Sequence, residues 1–334
     1  MPTIYDVAKK ARVSITTVSR VINQSGSVSE KTREIVNQAI RELGYHPNPS
    51  ARSLALGRGK LAALVVPDIA NPFYADMARG AQDACSTRGY HLLICSTDGD
   101  PDQEASVLQG LNDQQVDGIC FVRYQRDPSL LKKVSADARL VVIGAAPEDL
   151  AVDSVGVFGT GRALRAIFKQ LALDGRRRFA HVAGPPTSLV GDLRVKQYRH
   201  ALEQSGLAWD ESLVKFTDFS PEAGKRAAEE LLALPEKPDV IFAANDMLAI
   251  EAFKAATEVG LDIPSDIALI GCDDIPFASA LRPSLTSIHI PTYEMGRQAV
   301  ELLFSRLDNP GAQIRNTSLE ARAVIRQSTG GKET

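Results

Sequence analysis

The chain has 334 residues, 44% of them apolar, and a formal net charge of −3. That length supplies two or three packed domains, and the absence of any run of ~18 apolar residues excludes a hydropathic membrane helix. The opening Met1-Pro2-Thr3-Ile4-Tyr5-Asp6 lacks the basic-then-apolar order of a secretory signal, so the expected location is the cytoplasm.

Charge is unevenly spread. Residues 1–60 hold ten Lys/Arg against four Asp/Glu, a surplus of +6, and the remainder holds 28 against 37, a balance of −9. A basic head on an acidic body points the head toward a polyanion. In the head, Thr3 and Asp6 have capping-box spacing, and Ile4, Val7, Ala8 and Ala11 fall on one helical face. After Arg12-Val13, Ser14 caps a second helix with Val18, Val21 and Ile22 inward. Ile15, Thr16, Ser19, Arg20 and Asn23 face outward, with Thr17 near the N-terminal edge. Ser29 caps a third helix whose expected buried stripe is Ile35, Val36, Ala39, Ile40 and Leu43, and Gly44 ends it. Two short helices joined by a tight turn, the second polar on its outer face, read as a helix-turn-helix. Its second helix suits the DNA major groove: Arg20 can donate two hydrogen bonds to guanine, Thr16 and Thr17 can reach bases or phosphates, and Ser14 suits a phosphate. An ordinary three-helix bundle with a polar face is the competing reading.

Residues 45–58, Tyr45-His46-Pro47-Asn48-Pro49-Ser50-Ala51-Arg52-Ser53-Leu54-Ala55-Leu56-Gly57-Arg58, break the helix at Pro47. A mini-helix from Pro49 to Leu56 follows, below the ~12–15 residues needed for stability alone. It needs a partner: a second copy of itself and a DNA minor groove both serve, with Leu54 as an apolar wedge between base steps. A plain interdomain linker is the alternative.

From residue 60 apolar runs alternate with amphipathic stretches. Strands are expected at Leu61–Pro67, His91–Ser96, Gly118–Val122, Leu140–Gly144, Ser154–Phe158, Phe179–Gly184, Val240–Ala244 and Ile267–Gly271. Helices are expected at Phe73–Arg88, Gly161–Leu173, Val190–Ser205, Pro221–Leu234 and Met247–Val259. Such alternation makes parallel sheets wrapped by helices, and roughly ten strands favour two sheets over one. Ligands bind at the carboxyl ends of such strands. Those ends carry Asn71-Pro72-Phe73-Tyr74, Asn245-Asp246 and Asp273-Asp274, and Arg194 lies early in a following helix. Carboxylates, an amide, an arginine and rings suit a polyhydroxylated, sugar-like molecule, although Asn245 and Asp246 alone are ordinary helix caps.

Gly159-Thr160-Gly161 follows a strand like a dinucleotide turn, but Leu164 stands at the third glycine position. Cys85, Cys95, Cys120 and Cys272 fit no metal knuckle or redox pair. No nucleophile–base pair stands out either, so neither cofactor nor metal nor enzyme activity is expected.

These segments resemble the lactose-repressor and galactose-repressor (LacI/GalR) family over nearly the whole chain. The most specific are Val13-Ser14-Ile15-Thr16-Thr17-Val18-Ser19-Arg20-Val21-Ile22-Asn23, Ala51-Arg52-Ser53-Leu54, Asn71-Pro72-Phe73-Tyr74, Gly271-Cys272-Asp273-Asp274 and Pro283-Ser284-Leu285-Thr286-Ser287-Ile288. The resemblance implies an all-α helix-turn-helix headpiece (1–46), a hinge (47–58) and a two-lobed α/β core like periplasmic binding proteins (59–334). The lobes are expected at about 59–158 with 290–316, and 159–288 with 317–330. It implies a transcription regulator of repressor type, associated with the nucleoid. Its partners would be double-stranded DNA at a pseudopalindromic operator, a sugar-like effector, and a second copy of itself, as a homodimer alone or paired into a tetramer. Ser14, Ile15, Thr16, Thr17, Ser19, Arg20, Asn23, Leu54 and Ala55 are its implied DNA residues, and Phe73, Tyr74, Phe158, Arg194, Asn245 and Asp273 its implied effector residues. The chain departs from the family pattern at Gly144-Ala145, Val157-Phe158-Gly159, Cys272 and Gly175-Arg176. These make the expected site less acidic on one side. A sugar-binding protein without a DNA role is the alternative function.

Overall fold

The computed structural model describes residues 2–22, 25–45, 59–134 and 139–332. They form two compact units, divided between Lys60 and Leu61. In the first unit, α1 (Ile4–Ala11), α2 (Ile15–Ile22) and α3 (Glu30–Leu43) enclose Val7, Ala8, Ala11, Val18, Val21, Val36 and Ala39. The Thr3–Asp6 capping box forms. Arg12 turns the chain at φ 55° after α1, Ser29 caps α3, and Gly44 closes it at φ 58°. Ile35 is a correction: it is 42% exposed. The core-facing stripe is buried Val36 and Ala39 with half-buried Ile40 and Leu43 at helical spacing, and a residue one step before it is rotated ~100° away.

The second unit holds two six-stranded sheets. The first runs β11 (Asn316–Glu320), β5 (Asp153–Phe158), β4 (Leu140–Ile143), β3 (Gly118–Val122), β1 (Leu61–Val66) and β2 (His91–Ser96), all parallel. The second runs β12 (Arg322–Val324), β10 (Thr286–His289), β9 (Ala268–Asp273), β8 (Val240–Ala243), β6 (Phe179–Ala183) and β7 (Val214–Phe216). Only the β12–β10 pair is antiparallel. Strands buried on both faces read as unbroken apolar runs. In β1, Ala62, Leu64 and Val66 pack on one side, and Ala63 and Val65 on the other.

Helices α4 (Pro72–Thr87), α5 (Pro101–Asp113), α6 (Ser129–Val134) and α12 (Thr292–Asp308) serve the first lobe. Helices α7 (Thr160–Leu173), α8 (Leu189–Gln204), α9 (Pro221–Leu232), α10 (Asp246–Glu258) and α11 (Pro276–Ala280) serve the second. Helices α4 and α12 approach closely through two glycines. A Cβ on Gly80 would stand 1.9 Å from the Tyr293 carbonyl oxygen, and one on Gly296 would stand 2.0 Å from that of Met77.

The chain passes between lobes after Phe158, between His289 and Thr292, and at Ala321. The last position corrects the expected division at 316/317. Asn316–Glu320 pairs residue for residue with Ser154–Phe158, so it belongs to the first lobe. Its polar sequence reads as loop because it is an edge strand with alternate residues exposed.

The lobes also touch away from the crossovers. Leu189 N–H donates to the Tyr124 carbonyl (2.8 Å), Gln125 bridges Ser188, and Arg126 donates to the Pro186 carbonyl (3.3 Å) and pairs with Asp192 (3.6 Å). This strap ties the end of β3 to the first turn of α8.

Candidate functional site

In the first unit the site is the outer face of α2. Ser14 caps this helix: its hydroxyl accepts the Thr17 N–H at 3.1 Å and shares a 2.9 Å bond with the Thr17 hydroxyl. Val18 and Val21 anchor the inner face. Ser14, Ile15, Thr16 and Arg20 are exposed, and Thr17 and Ser19 are half-buried. An exposed isoleucine (39%) beside a threonine and an arginine gives one short helix an apolar patch, hydroxyls and a cationic fork. Those are the groups that touch a thymine methyl, a phosphate and a guanine edge. Asn23, Leu54 and Ala55 lie outside the described residues.

In the second unit a cavity of about 290 Å³ opens where the lobes meet. The start of α4 contributes Pro72, Phe73 and Asp76, and the end of β9 contributes Asp273 and Asp274. The Asn71 side chain accepts the Phe73 N–H at 3.0 Å and so fixes the turn that presents the ring. Tyr74 meets Phe73 edge-on, with centroids 5.0 Å apart.

The two consecutive aspartates have different jobs. Asp274 is occupied: Arg326 donates to it at 2.7 Å, and the His289 ring lies 3.0 Å from its other oxygen. The Asp273 carboxylate has no hydrogen-bond or ion-pair partner among the described residues. Burial and the nearby Asp246 push its pKa well above the usual carboxylate range, and Arg194 opposes them. Both aspartates hold left-handed backbone, φ 118° and 60°. Non-glycine residues pay of order 1–3 kcal/mol for that, and such strain gathers at functional sites.

Asp246 supports this corner. It is fully buried, accepts the Ser287 hydroxyl at 2.6 Å and accepts the Ile275 N–H at 2.8 Å. Burial raises its pKa to about 7 against those two bonds. Gly271 lets it sit there, since a Cβ would stand 2.0 Å from an Asp246 oxygen.

Arg194 is 7% exposed on α8. Its Nη1 donates to Gln197 at 3.0 Å, while its buried Nε finds no partner. His181 lies sandwiched between Tyr198 and Phe242, with centroids 4.9 and 4.8 Å away. Its Nδ1 meets the Phe242 carbonyl at 2.9 Å, and its Nε2 is buried without a partner. Burial drives its pKa down to about 4, and the Arg194 charge adds to that fall.

Of the six residues selected from the sequence, Phe73 and Asp273 line the cavity. Tyr74 and Arg194 lie within electrostatic reach of Asp273. Asn245 is engaged as the cap of α10, accepting the Leu248 N–H at 2.9 Å. Phe158 does not join this cluster. It stands 49% exposed at the first crossover, where its carbonyl accepts the Ala321 N–H.

Sequence reading passed over Tyr124 and Phe219. They approach from opposite lobes, with centroids 6.5 Å apart. Each ring covers a glycine: a Cβ on Gly99 would meet Tyr124 at 2.6 Å, and one on Gly184 would meet Phe219 at 2.1 Å. Phe219 carries φ 69°, a costly conformation for a bulky residue. Tyr124 lies two residues past the end of β3, so the strand-end rule applied there finds it. Phe219 follows a three-residue strand too short to register.

Comparison with known proteins covers both units. Residues 3–48 match the family model described as bacterial regulatory proteins, lacI family, and residues 168–329 match a periplasmic binding protein-like domain. The HTH-type transcriptional regulator DegA of Bacillus subtilis is 38% identical over 299 residues, 89% of this chain and 88% of the relative. A solved complex of the transcriptional regulator CelR with cellobiose is 34% identical and covers 98% of this chain and all of the other (TM-score 0.73). The lac repressor dimer bound to operator and the anti-inducer ONPF is 26% identical, covering 98% and 99% (TM-score 0.86). Among the described residues no helix is long and apolar enough to cross a membrane.

Proposed function

The chain belongs to the lacI family of bacterial regulatory proteins, and from that premise we propose a repressor-type transcription regulator whose operator affinity is set by a sugar-like effector between its lobes. It acts by binding alone, in the cytoplasm, as a homodimer on a pseudopalindromic operator. Two copies place two α2 helices in successive major grooves, one helical turn apart. Arg20 reads a guanine in each half-site, Thr16 and Thr17 contact bases or phosphates, and Ile15 meets a thymine methyl. The observation that carries the DNA reading is the exposed outer face of α2, where Arg20 has no acceptor among the described residues to hold it.

In the cleft, Asp273 hydrogen-bonds sugar hydroxyls, Arg194 donates to neighbouring oxygens, and Phe73 covers the apolar face of the ring. Asp274, Arg326 and Asp246 hold Asp273 in place. The hinge at 47–58 couples the units: its sequence is too short for a helix stable alone. The lobe orientation chosen by ligand sets the spacing of the two hinges across the dimer. Hinges at the right spacing fold together on DNA, with Leu54 wedged in the minor groove and Ala55 beside it.

The test is Arg20→Ala on a site selected from random duplexes. Affinity falls ~1–3 kcal/mol per half-site and preference relaxes at one base position. Equal loss on random DNA makes Arg20 a phosphate contact, and no DNA binding by the parent chain removes the proposal.

A further inference from the structure

We infer that Gly26 is a positioning residue for Arg20, setting base preference by giving the arginine stem a bare stretch of backbone to rest on. This deepens the proposed function and rests on the reading of α2 as the base-reading helix. Gly26 lies in the turn after α2, with φ +71°. The Ser25 N–H donates to the Arg20 carbonyl at 3.0 Å, which holds Ser25 and its neighbour Gly26 against the last turn of the helix. A Cβ at position 26 would stand 3.3 Å from Arg20 Cδ, 3.4 Å from Nε and 3.8 Å from Cγ. The stem therefore rests against Gly26, and a Cβ there would crowd Cδ by a few tenths of an ångström while standing in ordinary contact with Nε and Cγ.

That contact matters because of what surrounds the arginine. Arg20 is exposed, and no carboxylate or carbonyl among the described residues holds its guanidinium. An arginine free on all sides gives up its rotamer freedom when it reaches a base. One resting on Gly26 has already lost part of it, and its fork leaves the helix in a restricted direction. A Cβ at 26 shifts the stem by a few tenths of an ångström and so re-aims the fork at its end. It also meets a second penalty, since the left-handed backbone there disfavours residues with a Cβ. Asparagine separates the two effects, because it tolerates left-handed backbone yet still carries the Cβ.

The experiment uses the full chain and a duplex selected from a random library. A scrambled duplex of equal length is the control, and both are titrated by fluorescence anisotropy at one salt concentration. Gly26→Ala and Gly26→Asn are made with Arg20 intact and with Arg20→Ala, and circular dichroism melts verify folding. With Arg20 intact, both variants lower the selected-to-scrambled affinity ratio about tenfold, the scale of one base contact. With Arg20→Ala they leave that ratio unchanged. An unchanged ratio with Arg20 intact, or an equal fall in both backgrounds, overturns the role of Gly26. If Arg20→Ala alone leaves the ratio untouched, the base-reading assignment of Arg20 falls and this inference falls with it.

Discussion

Replacing Arg194 by methionine separates a ligand-binding role from a structural one, because the two push measurable quantities in opposite directions. In the free protein Arg194 is a poor structural residue. It is 7% exposed, and among the described residues its buried Nε has no partner and its one hydrogen bond goes to Gln197. An unsatisfied buried donor costs ~1–3 kcal/mol, and an ordinary hydrogen bond contributes ~0.5–1.5 kcal/mol. Arg194→Met removes both and keeps an unbranched stem in the same space, so the net change is within about 1 kcal/mol of zero or favourable. At ~2–4 °C per kcal/mol for a unit of this size, the melting temperature stays within a few degrees or rises. Binding goes the other way. A hydrogen bond from a charged donor contributes ~1.5–3 kcal/mol, so losing one worth about 2 kcal/mol weakens the ligand roughly 30-fold. The variant also removes the charge that opposes the raised pKa of Asp273. The assay is a melting screen of the parent chain against monosaccharides, disaccharides and sugar acids, then calorimetric titration of the sugar that stabilises it. Undiminished affinity in Arg194→Met, or a fall in melting temperature beyond ~6 °C, refutes the assignment.

Gly80→Ala pushes a methyl into the Tyr293 carbonyl oxygen 1.9 Å away. It forces α4 and α12 apart at a cost of ~1–3 kcal/mol, seen as a lower melting temperature, and an unchanged melt contradicts the close crossing. His181, with its pKa held at about 4 by burial, folds in its neutral form. Its folded pKa lies below the ordinary imidazole value of 6.5. Its contribution is therefore complete above pH 6.5 and drains away as pH falls toward 4. Glu104, pushed up to about 7 by burial, works in the opposite sense: its contribution is complete below pH 4.5 and is lost as pH rises through 7. Comparing urea unfolding of the parent with His181→Phe cancels Glu104. The parent loses stability relative to the variant on acidification from pH 6.5, with a limiting slope of ~1.4 kcal/mol per pH unit. A flat difference means His181 is not held neutral.

The alternation of apolar runs with amphipathic stretches made most of the fold readable, because central parallel strands are buried on both faces and stand out as unbroken apolar runs. Val240–Ala243 and Leu140–Ile143 are such strands, buried along their full length. Edge strands escaped the same logic. Asn316–Glu320 and Arg322–Val324 keep half their side chains toward solvent and are polar accordingly, which is why the last crossover was displaced. The headpiece was legible through its caps, Thr3, Ser14, Ser29 and Gly44, since each satisfies backbone groups that a helix end leaves open. At the cleft, sequence position marked strand ends but not which side chain is spoken for. Asp273 and Asp274 are neighbours of one type, and only packing shows that Arg326 and His289 engage the second while the first has no partner among the described residues. Asn245 alone reads as an ordinary cap and becomes a ligand candidate only through its place at a strand end, and its hydrogen bond to Leu248 shows the cap in use. His181 gave no signal, because its neighbours Tyr198 and Phe242 are distant in sequence.

Operator titration of the full chain, repeated without and with a saturating level of the stabilising sugar, bears most directly on whether the cleft governs the head. A linked pair of sites changes operator affinity ~5–150-fold, corresponding to ~1–3 kcal/mol of coupling, and sugar affinity changes by the same factor when operator is present. A sugar that occupies the cleft and leaves the operator curve where it was contradicts the account.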